Sequence, residues 1–305
     1  MLSESVRDEL ARVALQRPCD RLAELSALFH AAGTLHIRGH GDIAVHLDLA
    51  SSVVARRAFG LLRALDVESE IRTYRRRAFG RETRYQLHVQ GAKQAVAVLR
   101  ETGVLSTSRA PLSRPPRRIV GRRCCRAAYL RGALLGAGSV SGPRSSHLEV
   151  RCATPDGAEF LAWATGLEGV KLRVRDRERF VVVYAKGAER IADALSLAGA
   201  VDAALAIEEH AVLGAARAQA NRVANADHAN LVRSSRAAHD QLRAIRALEH
   251  DGLLDHLPEP LREIADLRVR HPSLSLTELG RKCRPPASKA AAYRRLRRVI
   301  RAAER

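Results

Sequence analysis

The sequence lacks any uninterrupted run of about 18 apolar residues, the length that a transmembrane helix requires. It also lacks a secretory signal, because the N-terminal stretch MLSESVRDELARVALQRP is charged and has no apolar core followed by a cleavage site. We therefore expect a cytoplasmic protein with no membrane among its partners.

Cysteine is scarce and shows no framework of disulfide bonds. The five cysteines, Cys19, Cys124, Cys125, Cys152 and Cys283, are odd in number and irregularly spaced. The adjacent Cys124 and Cys125 cannot easily bridge to each other, and they lack the CxxC spacing of a zinc site. We expect reduced thiols, no metal and no cofactor.

Acidic residues are also few, with 33 Asp and Glu against 52 Lys and Arg and a formal net charge of +19. Such an excess on a folded protein predicts a polyanionic partner, most often nucleic acid. Arg outnumbers Lys by 47 to five, which partly reflects coding bias, so the excess over acids is the better evidence. The hydrophobic fraction of 46% excludes a disordered basic tail, and 305 residues suit two or three domains.

One order of predicted elements occurs twice in the first two hundred residues. Helical spacing and alternating stretches predict helix, hairpin, helix, hairpin, helix for 19–31, 34–49, 51–65, 68–90 and 91–103, with Ser51 or Ser52 as the cap of the middle helix. The same order follows in 124–138, 139–153, 154–167, 170–185 and 187–199, with Thr154 as a cap. A constant offset of 105 residues pairs Leu25 with Leu130 and Gly33 with Gly138, which predicts a pseudo-two-fold pair of αββαββα units.

The helices LSALFHAAG (25–33) and LRGALLGAG (130–138) resemble the LAGLIDADG motif of homing endonucleases. The resemblance implies two helices packed through small residues, here Ala27, Ala31, Gly132 and Gly136, and sheets that form a saddle over DNA. Ordinary amphipathic helices with Ala-rich faces would be the alternative for either helix alone. Two copies at one offset, each followed by the same elements, favour the motif.

Cleavage by this motif needs a carboxylate at its eighth position to bind a divalent metal. Those positions hold Ala32 and Ala137, and the sixth positions hold His30 and Leu135. A methyl group cannot ligate a metal, so we expect no catalytic residue and no enzyme activity.

The C-terminal region changes character after about residue 210. One or two long helices are predicted first, and a helix that ends at Pro272 follows. Ser275 or Thr277 then caps a short helix, Arg284, Pro285 and Pro286 force a turn, and Ser288 caps a last basic helix. This arrangement predicts a helix-turn-helix at about 275–305, with a solvated basic helix as the alternative.

The predicted DNA contacts follow from this geometry. Lys289, Ala290 and Tyr293 lie at the end of the last helix that usually reads base edges, while Arg294, Arg295, Arg297 and Arg298 suit phosphates. Thr277 at the start of the short helix and Ser288 at the start of the last helix are also predicted DNA contacts. Further backbone contacts are predicted for the basic residues Arg75, Arg76, Arg77, Arg117, Arg118, Arg122 and Arg123.

The combination of a degenerate LAGLIDADG pair and a C-terminal helix-turn-helix resembles the WhiA family of Gram-positive bacteria. The stretches CCRAAYLRGALLGAGSVS, NRVANADHANLVRSSRAAHDQLRAI and PPASKAAAYRRLRR carry the resemblance. It implies a transcription regulator of sporulation septation, cell division and chromosome segregation, located at the nucleoid. It also implies double-stranded promoter DNA, a WhiB-type iron–sulphur protein and RNA polymerase as partners.

The predicted fold class is α+β, with two pseudo-symmetric αββαββα LAGLIDADG-like repeats and an all-α C-terminal helix-turn-helix domain. The expected boundaries are 1–105 for the first repeat with an N-terminal helix, 106–123 for a basic linker or extended arm, 124–205 for the second repeat and 206–305 for the helical domain. A nucleoid-associated division protein that does not regulate transcription, and an active homing endonuclease, are the alternative functions.

Overall fold

The structure, a computed structural model, describes residues 2–37, 43–75, 83–89, 93–142, 146–178 and 180–304. The chain folds into two compact units, Met1–Gly214 and Ala215–Arg305. The α-helices of the described residues are α1 (Leu2–Arg12), α2 (Pro18–Ala32), α3 (Ser52–Arg63), α4 (Lys93–Glu101), α5 (Arg123–Ala137), α6 (Pro155–Gly166), α7 (Ala188–Ala198), α8 (Val201–His250), α9 (Glu259–Arg270), α10 (Leu276–Lys282) and α11 (Lys289–Ala303). The strands are β1 (Gly33–Ile37), β2 (Ile43–Leu49), β3 (Ser69–Arg75), β4 (Thr83–Val89), β5 (Gly138–Ser141), β6 (His147–Cys152), β7 (Arg173–Arg177) and β8 (Phe180–Lys186).

The first unit contains two antiparallel sheets of the same topology. Their strand orders are β1-β2-β4-β3 and β5-β6-β8-β7. Each sheet starts directly at the end of a motif helix, with Gly33 opposite Leu47 in one and Gly138 opposite Val150 in the other. The 105-residue offset of the sequence therefore holds for the motif helices and the start of each sheet, whereas the strands that pair with β1 and β5 are offset by 103 residues at Leu47 and Val150.

The middle helix of each repeat begins at the hydroxyl cap that local sequence predicts. Ser51 Oγ accepts a hydrogen bond from the Val53 amide, and Thr154 Oγ1 accepts one from the Gly157 amide. Each side chain satisfies an amide that the first helical turn leaves without an intrahelical partner. The structure thus selects Ser51 rather than Ser52 as the cap.

Helices α2 and α5 pack closely because their contact positions carry small side chains. A Cβ on Gly132 would lie 2.3 Å from the Glu24 carbonyl oxygen, and one on Gly136 would lie 3.1 Å from Ala31 Cβ. The predicted close approach through Ala27, Ala31, Gly132 and Gly136 is confirmed.

A buried carboxylate joins the elements around the helix pair. Glu24 in α2 is completely buried, and its two oxygens pair with the guanidinium groups of Arg57 in α3 and Arg131 in α5. Arg131 also donates to the Ala198 carbonyl at the end of α7, at 2.7 Å. Because both cations are themselves largely buried, the network ties four helices of the two repeats together through α2.

The N-terminal helix and the segment between the repeats lie against the same core. In α1, Ser3 Oγ bonds the Val140 carbonyl in β5, and the Glu9 carboxylate accepts from the Asp202 and Ala203 amides at the start of α8. Between the repeats, a short 3-10 helix, Arg117–Val120, buries Ile119 and Val120. Residues 106–123 are therefore held on the core at this point.

The second unit is helical. Helix α8 runs as one 50-residue helix from the first unit into the second, which settles the choice between one and two helices. Two small apolar clusters fix the last three helices, one built on Leu261 and Val299 and the other on Ile264, Leu279 and Leu296. The predicted fold class, paired sheet-and-helix repeats followed by a helical domain, is confirmed.

Candidate nucleic-acid interface

The short helix α10 starts at a complete capping box. Ser275 Oγ accepts from the Glu278 amide at 3.3 Å, and the Ser275 amide donates back to Glu278 Oε2 at 2.8 Å. Hydrogen bonds from Ser275 hold the pKa of Glu278 below its ordinary value. The cap is therefore Ser275, and Thr277 lies half-buried within the first turn.

The turn between α10 and α11 is tight and depends on a glycine. A Cβ on Gly280 would lie 2.3 Å from the Ala287 carbonyl oxygen. The Gly280 carbonyl in turn accepts from the Ala287 amide at 2.8 Å. Ser288 then caps α11 by accepting from the Ala291 amide. Such a helix, turn and helix place the second helix across the first.

One side of α11 packs inward. Ala292, Leu296 and Val299 are buried, as their helical spacing predicts, and Ile300 is half-buried. Ala292, Leu296 and Val299 contact the side chains of the neighbouring helices within the two apolar clusters.

The other side of α11 is exposed and cationic. Lys289, Ala290 and Tyr293 are exposed in its first half, and four arginines follow on the same open side. The guanidinium carbon of Arg297 lies 5.9 Å from the centroid of the Tyr293 ring, within cation–π range. The exposed arginines are Arg294, Arg297, Arg298 and Arg301.

Arg295 differs from its neighbours. Its side chain is half-buried, and Nη1 lies 3.8 Å from the Glu263 carboxylate on α9. The same carboxylate accepts from the Arg284 amide in the turn. Arg295 therefore links α11 to α9, and its arginine neighbours are the better placed contacts for an external anion.

The predicted contacts in the first unit fall in different surroundings. Arg75 is exposed at the end of β3, while Arg76 and Arg77 lie outside the described residues. Arg117 lies 4.8 Å from the Trp163 ring centroid, and Arg118 donates to the Glu101 carbonyl. Arg122 is exposed before α5, and Arg123 is exposed but 3.2 Å from the Glu168 carboxylate.

A second basic surface was not predicted from the sequence. Arg151, Arg173, Arg175, Arg177 and Lys186 are exposed and share the face of the second sheet that points away from the core, and we call this the second outer face. The guanidinium carbons of Arg151 and Arg177 lie 5.0 and 5.9 Å from the centroid of the Phe180 ring, within cation–π range. The basic residues at alternate positions in RVRDR are the signal that could have revealed this face.

The equivalent face of the first sheet has a different charge. Arg72 and Arg84 are there balanced by Glu70 and Asp48 in ion pairs. A row of three imidazoles crosses the strands, with ring centroids 4.7 Å apart for His36 and His46 and 3.9 Å apart for His46 and His88. Burial, helped by the nearby Arg72, lowers the pKa of His88. The two repeats thus share a fold but present surfaces of different charge.

The positions that correspond to nuclease ligands carry no donor atoms. Ala32 and Ala137 are the last residues of α2 and α5. Of the acids that follow the motif helices, Asp42 lies outside the described residues, and Asp48 and Glu149 lie on the sheets. There Asp48 pairs with Arg84, and Glu149 lies within 3.3–3.7 Å of nitrogens of three basic side chains.

Three family models together match most of the chain. They are the WhiA N-terminal LAGLIDADG-like domain at residues 18–105, the WhiA LAGLIDADG-like domain at 126–217 and the WhiA C-terminal HTH domain at 220–303. Among described helices, none is long and apolar enough to cross a lipid bilayer.

Similar proteins match along their full length. The probable cell division protein WhiA of Heliobacterium modesticaldum is 35% identical over 304 residues, covering 99% of this chain and 95% of that protein. Its counterpart in Symbiobacterium thermophilum is 36% identical over 306 residues, covering 99% and 97%. The crystal structure of full-length WhiA from Thermatoga maritima has a TM-score of 0.58 at 21% identity, covers 99% of this chain and 97% of that one, and shows the shared fold.

Proposed function

Since this chain belongs to the WhiA family, we propose that it binds double-stranded DNA in a sequence-specific manner and regulates transcription. The observation that carries the proposal is the exposed cationic side of α11, which follows α10 through a tight turn. In proteins with this motif the second helix enters the major groove.

The residues of α11 divide into two roles. Lys289, Ala290 and Tyr293 in its first half contact base edges, and Ser288 at the turn and Thr277 in the first turn of α10 are further contacts. Arg294, Arg297 and Arg298 contact phosphates, which fixes the register of the helix on the duplex. Arg295 supports this surface through its ion pair with Glu263.

The paired repeats serve as a scaffold with a second surface for polyanions or a protein partner. The second outer face carries five cations around Glu149 and is the strongest candidate for backbone contact. Arg75, Arg117, Arg118, Arg122 and Arg123 are weaker candidates, because some of them already contact neighbouring side chains or carbonyls. We assign no cleavage to this unit, because Ala32 and Ala137 offer no ligand to a metal.

The biological setting follows from the family. Relatives are named probable cell division proteins, and we propose a role in cell division, sporulation septation and chromosome segregation for this chain. A WhiB-type iron–sulphur protein and RNA polymerase are the proposed protein partners at promoters. The proposed location is the nucleoid within the cytoplasm.

Genome-wide occupancy compared with transcript changes after deletion tests the regulatory role. A regulator gives transcript changes at the genes beside its occupied sites. Occupied sites without such changes would instead support a nucleoid-associated division protein.

A cleavage assay tests the alternative of an active endonuclease. Supercoiled plasmid and selected binding-site DNA are incubated with the full chain and Mg²⁺, and nicked products are quantified. We expect none. Nicking that depends on the metal and is abolished by EDTA would contradict the absence of a catalytic role.

A further inference from the structure

Three of the five cysteines meet one aspartate where the motif helices begin. Cys19 and Asp20 are the second and third residues of α2, and Cys124 and Cys125 are the second and third residues of α5. The 105-residue offset pairs Cys19 with Cys124 and Asp20 with Cys125. Because the two helices pack with their starts side by side, all four side chains converge.

The four potential ligand atoms are spaced as one metal ion would need them. All lie within 4.8 Å of one another. Cys124 Sγ and Cys125 Sγ are 3.9 Å apart, and Cys19 Sγ is 3.6 Å from Asp20 Oδ1. Tetrahedral zinc with Zn–S bonds of about 2.3 Å places its sulfur ligands about 3.8 Å apart. Small side-chain rotations therefore suffice to close the site.

The carboxylate of Asp20 gives an independent indication of a cation. Its residue is only 8% exposed, and in the described part of the chain no Arg or Lys lies within ion-pair distance of it, although the exposed Arg17 interacts with its charge from further away. One turn further along α2, the buried carboxylate of Glu24 has two arginine partners. A buried carboxylate is costly unless its charge is compensated, and a bound cation in the cluster would compensate it.

Contrary to the expectation of no metal that the cysteine spacing suggests, we propose that Cys19, Asp20, Cys124 and Cys125 bind one zinc ion, which joins the starts of the two motif helices. Three thiolates select zinc over Mg²⁺ or Ca²⁺, which require oxygen ligands. Four protein ligands leave no open position for water, so the site is structural. Arg17 Nη1 lies 3.6 Å from Cys124 Sγ and hydrogen-bonds this ligand from outside the site.

Metal content of the full chain tests the site directly. The protein is purified without an affinity tag, stripped with chelator and titrated with Zn²⁺ or Co²⁺, and bound metal is measured by mass spectrometry. We expect one ion per chain and cobalt–thiolate charge-transfer absorption. Cys124→Ala should weaken zinc binding by more than about 100-fold, since loss of an outer partner alone costs about 10–100-fold. The matched control Cys152→Ala removes a buried thiol of β6 outside the cluster and should keep the ion.

Alkylation of the wild-type chain keeps the test valid if Cys124→Ala fails to fold. Zinc should slow the reaction of iodoacetamide with Cys19 and Cys124 and leave the rate at Cys283 unchanged. The proposal is overturned by a stripped chain that binds neither ion at micromolar concentration, by equal alkylation with and without zinc, or by a disulfide within the cluster that forms in place of metal binding.

Discussion

The exposed and the paired arginines of α11 should differ in how they affect DNA binding. Replacing Arg294, Arg297 and Arg298 together by Ala removes three exposed cations. Each phosphate contact releases condensed counterions and contributes about 0.9 to the slope of log K against log salt. If all three contact phosphates, the slope should become shallower by about 2.7.

Arg295→Ala is the matched control on the same helix. Its side chain is half-buried beside Glu263, so its loss should lower the urea midpoint of unfolding and leave the salt slope unchanged. Both chains are titrated into fluorescent duplex DNA at several salt concentrations, and binding is followed by anisotropy. The reasoning is refuted if the triple variant keeps the wild-type slope. It is also refuted if Arg295→Ala changes the slope by as much as each arginine of the triple variant does.

Further predictions concern specificity, packing and pH. Lys289→Ala should cost about 1–3 kcal/mol on the selected site and little on random DNA; competition binding measures both, and equal losses would count against a base contact. Glu24→Ala leaves two buried guanidiniums uncompensated and should lower the free energy of unfolding by about 3–5 kcal/mol in urea titrations; an unchanged midpoint would disprove the role of the network. Gly132→Ala should destabilise the helix pair by about 1–3 kcal/mol, whereas Gly60→Ala, whose Cβ meets open space, should not; similar midpoints for the two would contradict the close approach. Burial lowers the pKa of His30, so below pH 6.5 the unfolded chain binds more protons than the folded chain. The free energy of unfolding should therefore decrease as the pH is lowered, and more steeply for the wild-type chain than for His30→Gln; parallel pH profiles would rule this out.

Much of the fold follows from local signals in the sequence. Helix caps such as Thr154 and Ser288 can be predicted from the sequence, because the hydroxyl that accepts from an amide of the first turn comes directly before the helix. The repeat can be recognised in the sequence because both copies have a glycine, Gly33 or Gly138, where the motif helix ends and the sheet begins. The sequence of α8 predicts one or two helices, because nothing local in its polar face distinguishes the two cases.

The parts of the sites that sequence could not predict depend on distant partners. Cys19 and Cys124 are 105 residues apart, and only the packing of α2 on α5 shows that they meet. The pairing of Arg295 with Glu263 likewise requires the crossing of α9 and α11. The second outer face requires the register of β7 on β8, which places Arg173, Arg175 and Arg177 on one side. In each case the sequence provides the residue types but not their neighbours.

Selection of binding sites from a pool of randomised duplex DNA by the full chain tests the central claim most directly. The account predicts one enriched motif for the wild-type chain and a relaxed motif for Lys289→Ala. Retention of duplex DNA without enrichment of any sequence, or recovery of the wild-type motif with Lys289, Tyr293 and Arg294 all replaced by Ala, would contradict recognition through α11.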